Sequence, residues 1–203
     1  MTDPDIRRVL DFWFQSGTMD QPTIDSRMDR WFTADPITDA VIRSEFGPLV
    51  EKGSKGELDG WAANAEGRLA LILLLDQFRR HIYRGTPKAF SRDPHALKLC
   101  VEGAMQADYK TLNPFQQAFY FMPLQHAESL KIQERSVKIY AGLGTGVSET
   151  LKATFATFAQ FAELHHDIIE SFGRFPHRNK ALGRPNTAEE AEYLGSSAPA
   201  FGQ

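Results

Sequence analysis

The chain has 203 residues, the length of one domain, or one with a small appendage, whose core needs no disulfide or metal staple. Lys plus Arg is 23 against 26 for Asp plus Glu, a formal charge of -3, which argues against a polycation built for nucleic acid. The single cysteine, Cys100, excludes an internal disulfide and any multi-cysteine zinc site, and fits a reducing, cytoplasmic compartment.

The pattern is helical nearly throughout. Asp3-Pro4 is an N-cap with Pro at the first helical position, and Ile6, Val9, Leu10 and Trp13 follow at helical spacing up to about Gly17. Residues 18–34 are mixed in character. Asp35-Pro36 repeats the start signal, with Pro48 expected to kink or end that helix. A strongly apolar helix runs from about Glu66 to Ile82. Asp93-Pro94 and Asn113-Pro114 open two more, the second interrupted or restarted at Pro123 and reaching about Tyr140. A glycine loop precedes a long helix over roughly Ser148 to Phe172. Thr187-Ala188-Glu189-Glu190 is a capping box for the last one. No stretch alternates with period two. The expectation is an all-α domain over residues 1–195, seven to nine helices without a sheet, and a frayed tail over 196–203. The four punctuated starts suit stacked antiparallel helix pairs and a closed bundle alike. The longest apolar run, Leu69 to Leu75, is far too short for a membrane span, and no signal-peptide pattern opens the chain.

Chemistry-bearing residues interrupt these apolar faces. Asp76 follows the greasiest run, on the face of Leu69, Ile72 and Leu73. It calls for a partner, with Arg80 at i,i+4 favoured over Arg79, and Arg84 extends the same side. His126 shares an inward face with Gln133, and Glu128 borders it. In the long helix the stripe Leu151, Phe155, Phe158, Ala162, His165, Ile169 and Phe172 holds His165 inward. The loop Gly173 to Lys180 then carries Arg174, His177 and Arg178, with Phe175 expected to pin it to the core. Each group has a plain structural reading: a satisfied core histidine, an internal ion pair, a packed seam. The functional reading joins them. His126, Glu128, His165 and Asp76 would then do acid/base work, and Arg80, Arg84, Arg174, His177 and Arg178 would hold a carboxylate or phosphate. Cys100 reads as core.

The segments Leu74-Leu75-Asp76-Gln77-Phe78-Arg79-Arg80, Phe121 to Glu128, Gly173 to Asn179, Leu182-Gly183-Arg184 and Thr187 to Glu190 resemble an uncharacterised bacterial family, domain of unknown function 924. Ala127 stands where that family often has a serine. The resemblance implies an all-helical, TPR-like fold and no established reaction. The leading expectation is a small anionic metabolite in an Arg/His-lined interhelical pocket, with enzymatic turnover an open question. The alternatives are a TPR-like adaptor for a peptide or protein and a metal-dependent enzyme, the last without diagnostic ligand spacing. Neither a cofactor nor a nucleic-acid or membrane partner is expected.

Overall fold

The computed structural model describes residues 3–15 and 21–196, and its helices begin where the sequence is punctuated. Asp3 caps α1 (Pro4–Phe14) by accepting the Asp5 N–H. After α2 (Gln21–Phe32), Asp35 caps α3 (Pro36–Ser54) through the Ile37 and Thr38 N–H groups. Asn64 caps α4 (Ala65–Leu73), which runs through a π-helical turn, Leu74–Phe78, into α5 (Arg79–Ile82). Next come α6 (Asp93–Gln106), α7 (Pro114–Gln125) behind an Asn113/Gln116 capping box, α8 (Leu130–Leu143) and α9 (Lys152–Phe172). The chain closes with α10 (Asn179–Leu182) and α11 (Ala188–Gly195), the latter with the expected Thr187/Glu190 box. The molecule is all-α, 80% helical, with no strand among the described residues. Counting the continuous rod 65–82 once, the described residues carry ten helices, a little above the expected range.

Three local expectations are corrected. The mixed stretch 18–34 contains a full helix, α2. Ile24, Arg27 and Trp31 face inward at helical spacing, while Asp25, Ser26 and Asp29 form the exposed face. Pro48 does not end α3: it lies on the exposed side, where the carbonyl its missing N–H leaves unpaired can meet water. The helix after Pro123 does not run on to Tyr140 but stops at Gln125. There the buried Gln133 donates Nε2 to the carbonyls of Ala127 and Gln125 at 2.8 Å each and of Leu124 at 3.3 Å. Gln133, expected on an inward face, is thus a side-chain cap for the open end of α7. The first helix, expected to reach about Gly17, ends at Phe14; residues 197–203, where most of the tail was expected, lie outside the described residues, as does Gly17 itself.

The rod 65–82 sits at the centre. Leu69 through Leu75 are all fully buried, each worth roughly 1.5–3 kcal/mol for a Leu or Ile. Helices α1, α6 and α7 pack on α4, α3 packs on α5 and the π turn, and α7, α8 and α9 follow as sequential neighbours. Gly103 lets α6 come close: a Cβ there would lie 1.6 Å from the Tyr120 hydroxyl and 2.5 Å from Arg68 Cδ. One hydrophobic cluster extends from Ile6 to Ala162, and a smaller one joins Ile168, Ile169 and Phe175. No helix among the described residues is long and apolar enough to cross a membrane.

Candidate functional site

The polar residues that interrupt the apolar faces converge on one cavity of about 310 Å³. Arg80 and Arg84 come from α5 and its end, His126 from the C-cap of α7, and His165 from α9. His177 and Arg178 come from the 3-10 turn Pro176–Arg178. Six of the nine residues singled out in the sequence therefore line the same hollow. The π turn supports this geometry. Its wider turn carries Asp76 and Gln77 just ahead of Arg80, and such turns recur at functional sites.

Asp76 sits behind the wall, fully buried, with three partners. Its Oδ1 accepts from His126 Nδ1 at 2.7 Å and from Arg80 at 2.9 Å, and its Oδ2 accepts the Gln77 amide at 2.6 Å. Burial alone would raise its pKa, but Arg80, His126 and Gln77 more than offset this and hold the carboxyl well below its usual range. An ionised Asp76 fixes the proton of His126 on Nδ1 and leaves Nε2 as the ring's lone-pair atom. Burial, with help from Arg80, lowers the His126 pKa, so the ring is neutral at pH 7. His165 is anchored in a similar way, donating Nδ1–H to the Phe161 carbonyl at 2.7 Å, and its ring meets that of His126 edge to face at 6.1 Å. Burial and its neighbours push His165 and His177 down to about 3.

The arginines differ in how fully they are engaged. Arg80 makes two bonds to Asp93, at 3.0 and 2.9 Å, besides its pair with Asp76. Burial would lower its pKa, but Asp76 and Asp93 raise it. Arg84 grips Asp39 with Nε and NH2 at 3.0 and 2.9 Å. Arg178, 6% exposed, makes a single bond to Asp93 through NH1 at 3.2 Å. Its guanidinium lies between the rings of Phe90 and Phe175 at 4.7 and 4.5 Å, and its buried Nε–H has no acceptor. Burial lowers Arg178 to about 10. Asp93, expected to cap α6, instead gives its carboxylate to Arg80 and Arg178, because two buried guanidinium groups need it more than an exposed helix end does.

Glu128 and Arg174 lie outside the cavity and hold the loop that enters it. Glu128 accepts the Phe175 N–H at 2.8 Å and two bonds from Arg184 at 2.8 and 2.9 Å. Arg174 is paired with Glu190 at 2.6 and 2.8 Å. The pinned loop explains how His177 and Arg178 reach the site. Arg79, the rival partner for Asp76, turns instead to Ser54, Ser91 and the Lys88 carbonyl. Among the described residues, one set of three ligand atoms lies close enough to hold a metal ion. It comprises His166, Asp167 and Glu170 on the outer side of α9; His126, Glu128 and His165 do not form one.

Several lining residues were not anticipated. His81 donates Nδ1–H to the Asp39 carboxylate at 2.7 Å and forms a second His–Asp pair on the wall. Its spacing from Gln77 and Arg84 was the available signal, since 77, 81 and 84 share a helical face. Trp31 and Phe32 from α2 and Phe158 and Phe161 from α9 make an aromatic wall. Phe32 lies 6.0 Å from Phe158 and stacks on Phe161 at 6.4 Å.

The sequence of residues 9–198 matches the family described as "Bacterial protein of unknown function (DUF924)". The chain belongs to the DUF924 family. A solved relative, the protein of unknown function ATU0120 from Agrobacterium tumefaciens, shares 34% identity with a TM-score of 0.80. The likeness covers 96% of this chain and 98% of that one. No curated protein matches the chain.

Proposed function

We propose that this DUF924 protein binds a small anionic metabolite, a carboxylate or a phosphate, in the cavity between α5, α7, α9 and the loop 173–178. The observation that carries this reading is the convergence of Arg80, Arg84, His126, His165, His177 and Arg178 on one hollow, with an Arg178 Nε–H that no protein acceptor satisfies. The unmet Nε–H marks Arg178 as the least engaged of the three guanidinium groups; Nε itself is closed off from the hollow, so an oxyanion would be held by the NH1 and NH2 groups, which together make one bond to protein. The Asp76–His126 pair supplies the acid/base element. Its Nε2 is held as an acceptor by the Nδ1–H bond to Asp76, and an anion seated beside the ring would offset the field of Arg80 and raise its basicity. A cytoplasmic setting suits the lone cysteine, Cys100, a buried free thiol. Titration with inorganic phosphate and acetate, followed by thermal shift on wild type and Arg178→Gln, tests the reading. Saturable stabilisation of wild type alone supports it; equal response of the two proteins refutes it.

A second reading, a TPR-like adaptor taking a peptide between stacked helix pairs, is favoured by the 38% exposure of both Phe32 and Phe161 at the cavity edge. A pulldown with crosslinking in which Phe161→Ala loses a stable partner would support it over the first.

A further inference from the structure

The cavity has two chemically different ends, and the difference narrows the ligand class; this step rests on the anion-binding reading above. Trp31, Phe32, Phe158 and Phe161 form one contiguous aromatic surface. Trp31 and Phe158 are buried, while Phe32 and Phe161 mark the rim at 38% exposure. Helix α9 sets the axis: Phe158, Phe161 and His165 succeed one another along it, placing the imidazole end roughly 10 Å from the first ring at 1.5 Å per residue. A bare inorganic ion would leave that apolar surface without a partner, whereas a flat hydrocarbon body would cover it.

The polar end sets the charge. Arg80, Arg84 and Arg178 face Asp39, Asp76 and Asp93, and the histidines around them are neutral at pH 7. Arg84 is closed by a two-point grip on Asp39, and Arg80 is shared by two carboxylates. Arg178 alone of the three combines a single bond to its carboxylate with an unmet N–H. Three guanidinium groups and three carboxylates already balance, so a bound anion adds net negative charge; Arg178 has donors to spare for one carboxylate, whereas a dianion would bury twice the excess. The volume, about 310 Å³, is at the small end of the ~300–1,000 Å³ usual for ligand pockets.

We infer that the ligand is an amphipathic monocarboxylate, an arylalkanoic acid in chemical class, with its carboxylate on Arg178 and its ring against Trp31, Phe32, Phe158 and Phe161. The probe is 3-phenylpropionate, compared with its neutral amide, with acetate and with inorganic phosphate, by calorimetry on the full chain. The acid should bind wild type at least about ten-fold more tightly than any of the other three, the range expected for a charge-assisted head and an apolar body. Arg178→Gln should cost roughly ten-fold or more. Phe161→Ala, a substitution at the rim, should weaken the acid several-fold and leave acetate unchanged. Equal binding of acid and amide, or of acid and acetate, overturns the inference. Phosphate binding more tightly than the acid, and depending on Arg178, overturns it while the anion-binding reading stands. No binding by any probe, or no effect of Arg178→Gln, overturns both.

Discussion

Two buried arginines, 4% and 6% exposed, show what separates a structural cation from a binding one. Every nitrogen of the Arg68 guanidinium in α4 has a partner. Its Nε reaches Asp108 at 3.0 Å, NH1 the Leu99 carbonyl at 3.4 Å, and NH2 both the Ala62 carbonyl at 2.7 Å and Gln106 at 3.0 Å. Tyr120 closes the same cluster by donating to Asp108 at 2.7 Å, and Gly103 presses against it. Arg178 is as deeply placed but makes one bond, leaves Nε unmet and borders a cavity. Burial of a charge is thus no sign of a site; incomplete satisfaction beside empty space is.

The contrast can be broken most severely at Arg68. Arg68→Met removes one member of a buried pair and leaves carbonyls and Asp108 short of donors, so it should cost about 3 kcal/mol or more, lowering Tm by roughly 6–12 °C. Chemical denaturation measures this directly, and a loss below about 1 kcal/mol would show the cluster to be dispensable. Gly103→Ala should follow at roughly 1–3 kcal/mol through overpacking, since neither the Tyr120 hydroxyl nor the Arg68 stem can retreat without losing its bonds.

Acidification probes the cavity side. His165 and His177 are held near 3 in the fold against an ordinary 6.5, so below pH 6.5 the unfolded chain takes up protons that the folded one refuses until about pH 3. Stability should therefore decline as pH falls through that window, by about 1.4 kcal/mol per pH unit for each ring once the pH is well below 6.5. A Tm flat from pH 7 to 5 would contradict the buried, neutral rings. The smallest effect on stability belongs to Arg178→Gln. Asp93 keeps both bonds from Arg80, so the cost should be about 1 kcal/mol, set by the lost contacts with the Phe90 and Phe175 rings. Its effect should appear in ligand affinity, the reverse of Arg68→Met.

Much of this was legible before the structure. Asp or Asn followed by Pro marked the starts of α1, α3 and α7, and the unbroken apolar run marked the buried rod. Histidine and arginine within apolar stripes pointed to His126, His165 and Arg80, and the basic loop pinned by Phe175 pointed to Arg178. What escaped depends on distance along the chain. Asp93 meets Arg178 across 85 residues, and nothing local distinguishes such a carboxylate from a helix cap. Trp31 and Phe32 face Phe158 and Phe161 only because α2 and α9 meet, and a polar outer face hid α2 in the pattern. Gln133 and Glu128 showed their inward or border position but not their task, which is set by the break after Gln125 and by the returning loop.

The most direct measurement is a crystal structure of the protein grown with 3-(4-bromophenyl)propionate, with the bromine located by its anomalous signal. The expected result is a carboxylate within hydrogen-bonding distance of the Arg178 guanidinium and the bromine against the rings of α2 and α9. A cavity empty of the compound, with Arg178 closed onto Asp93 and its neighbours, would contradict the account.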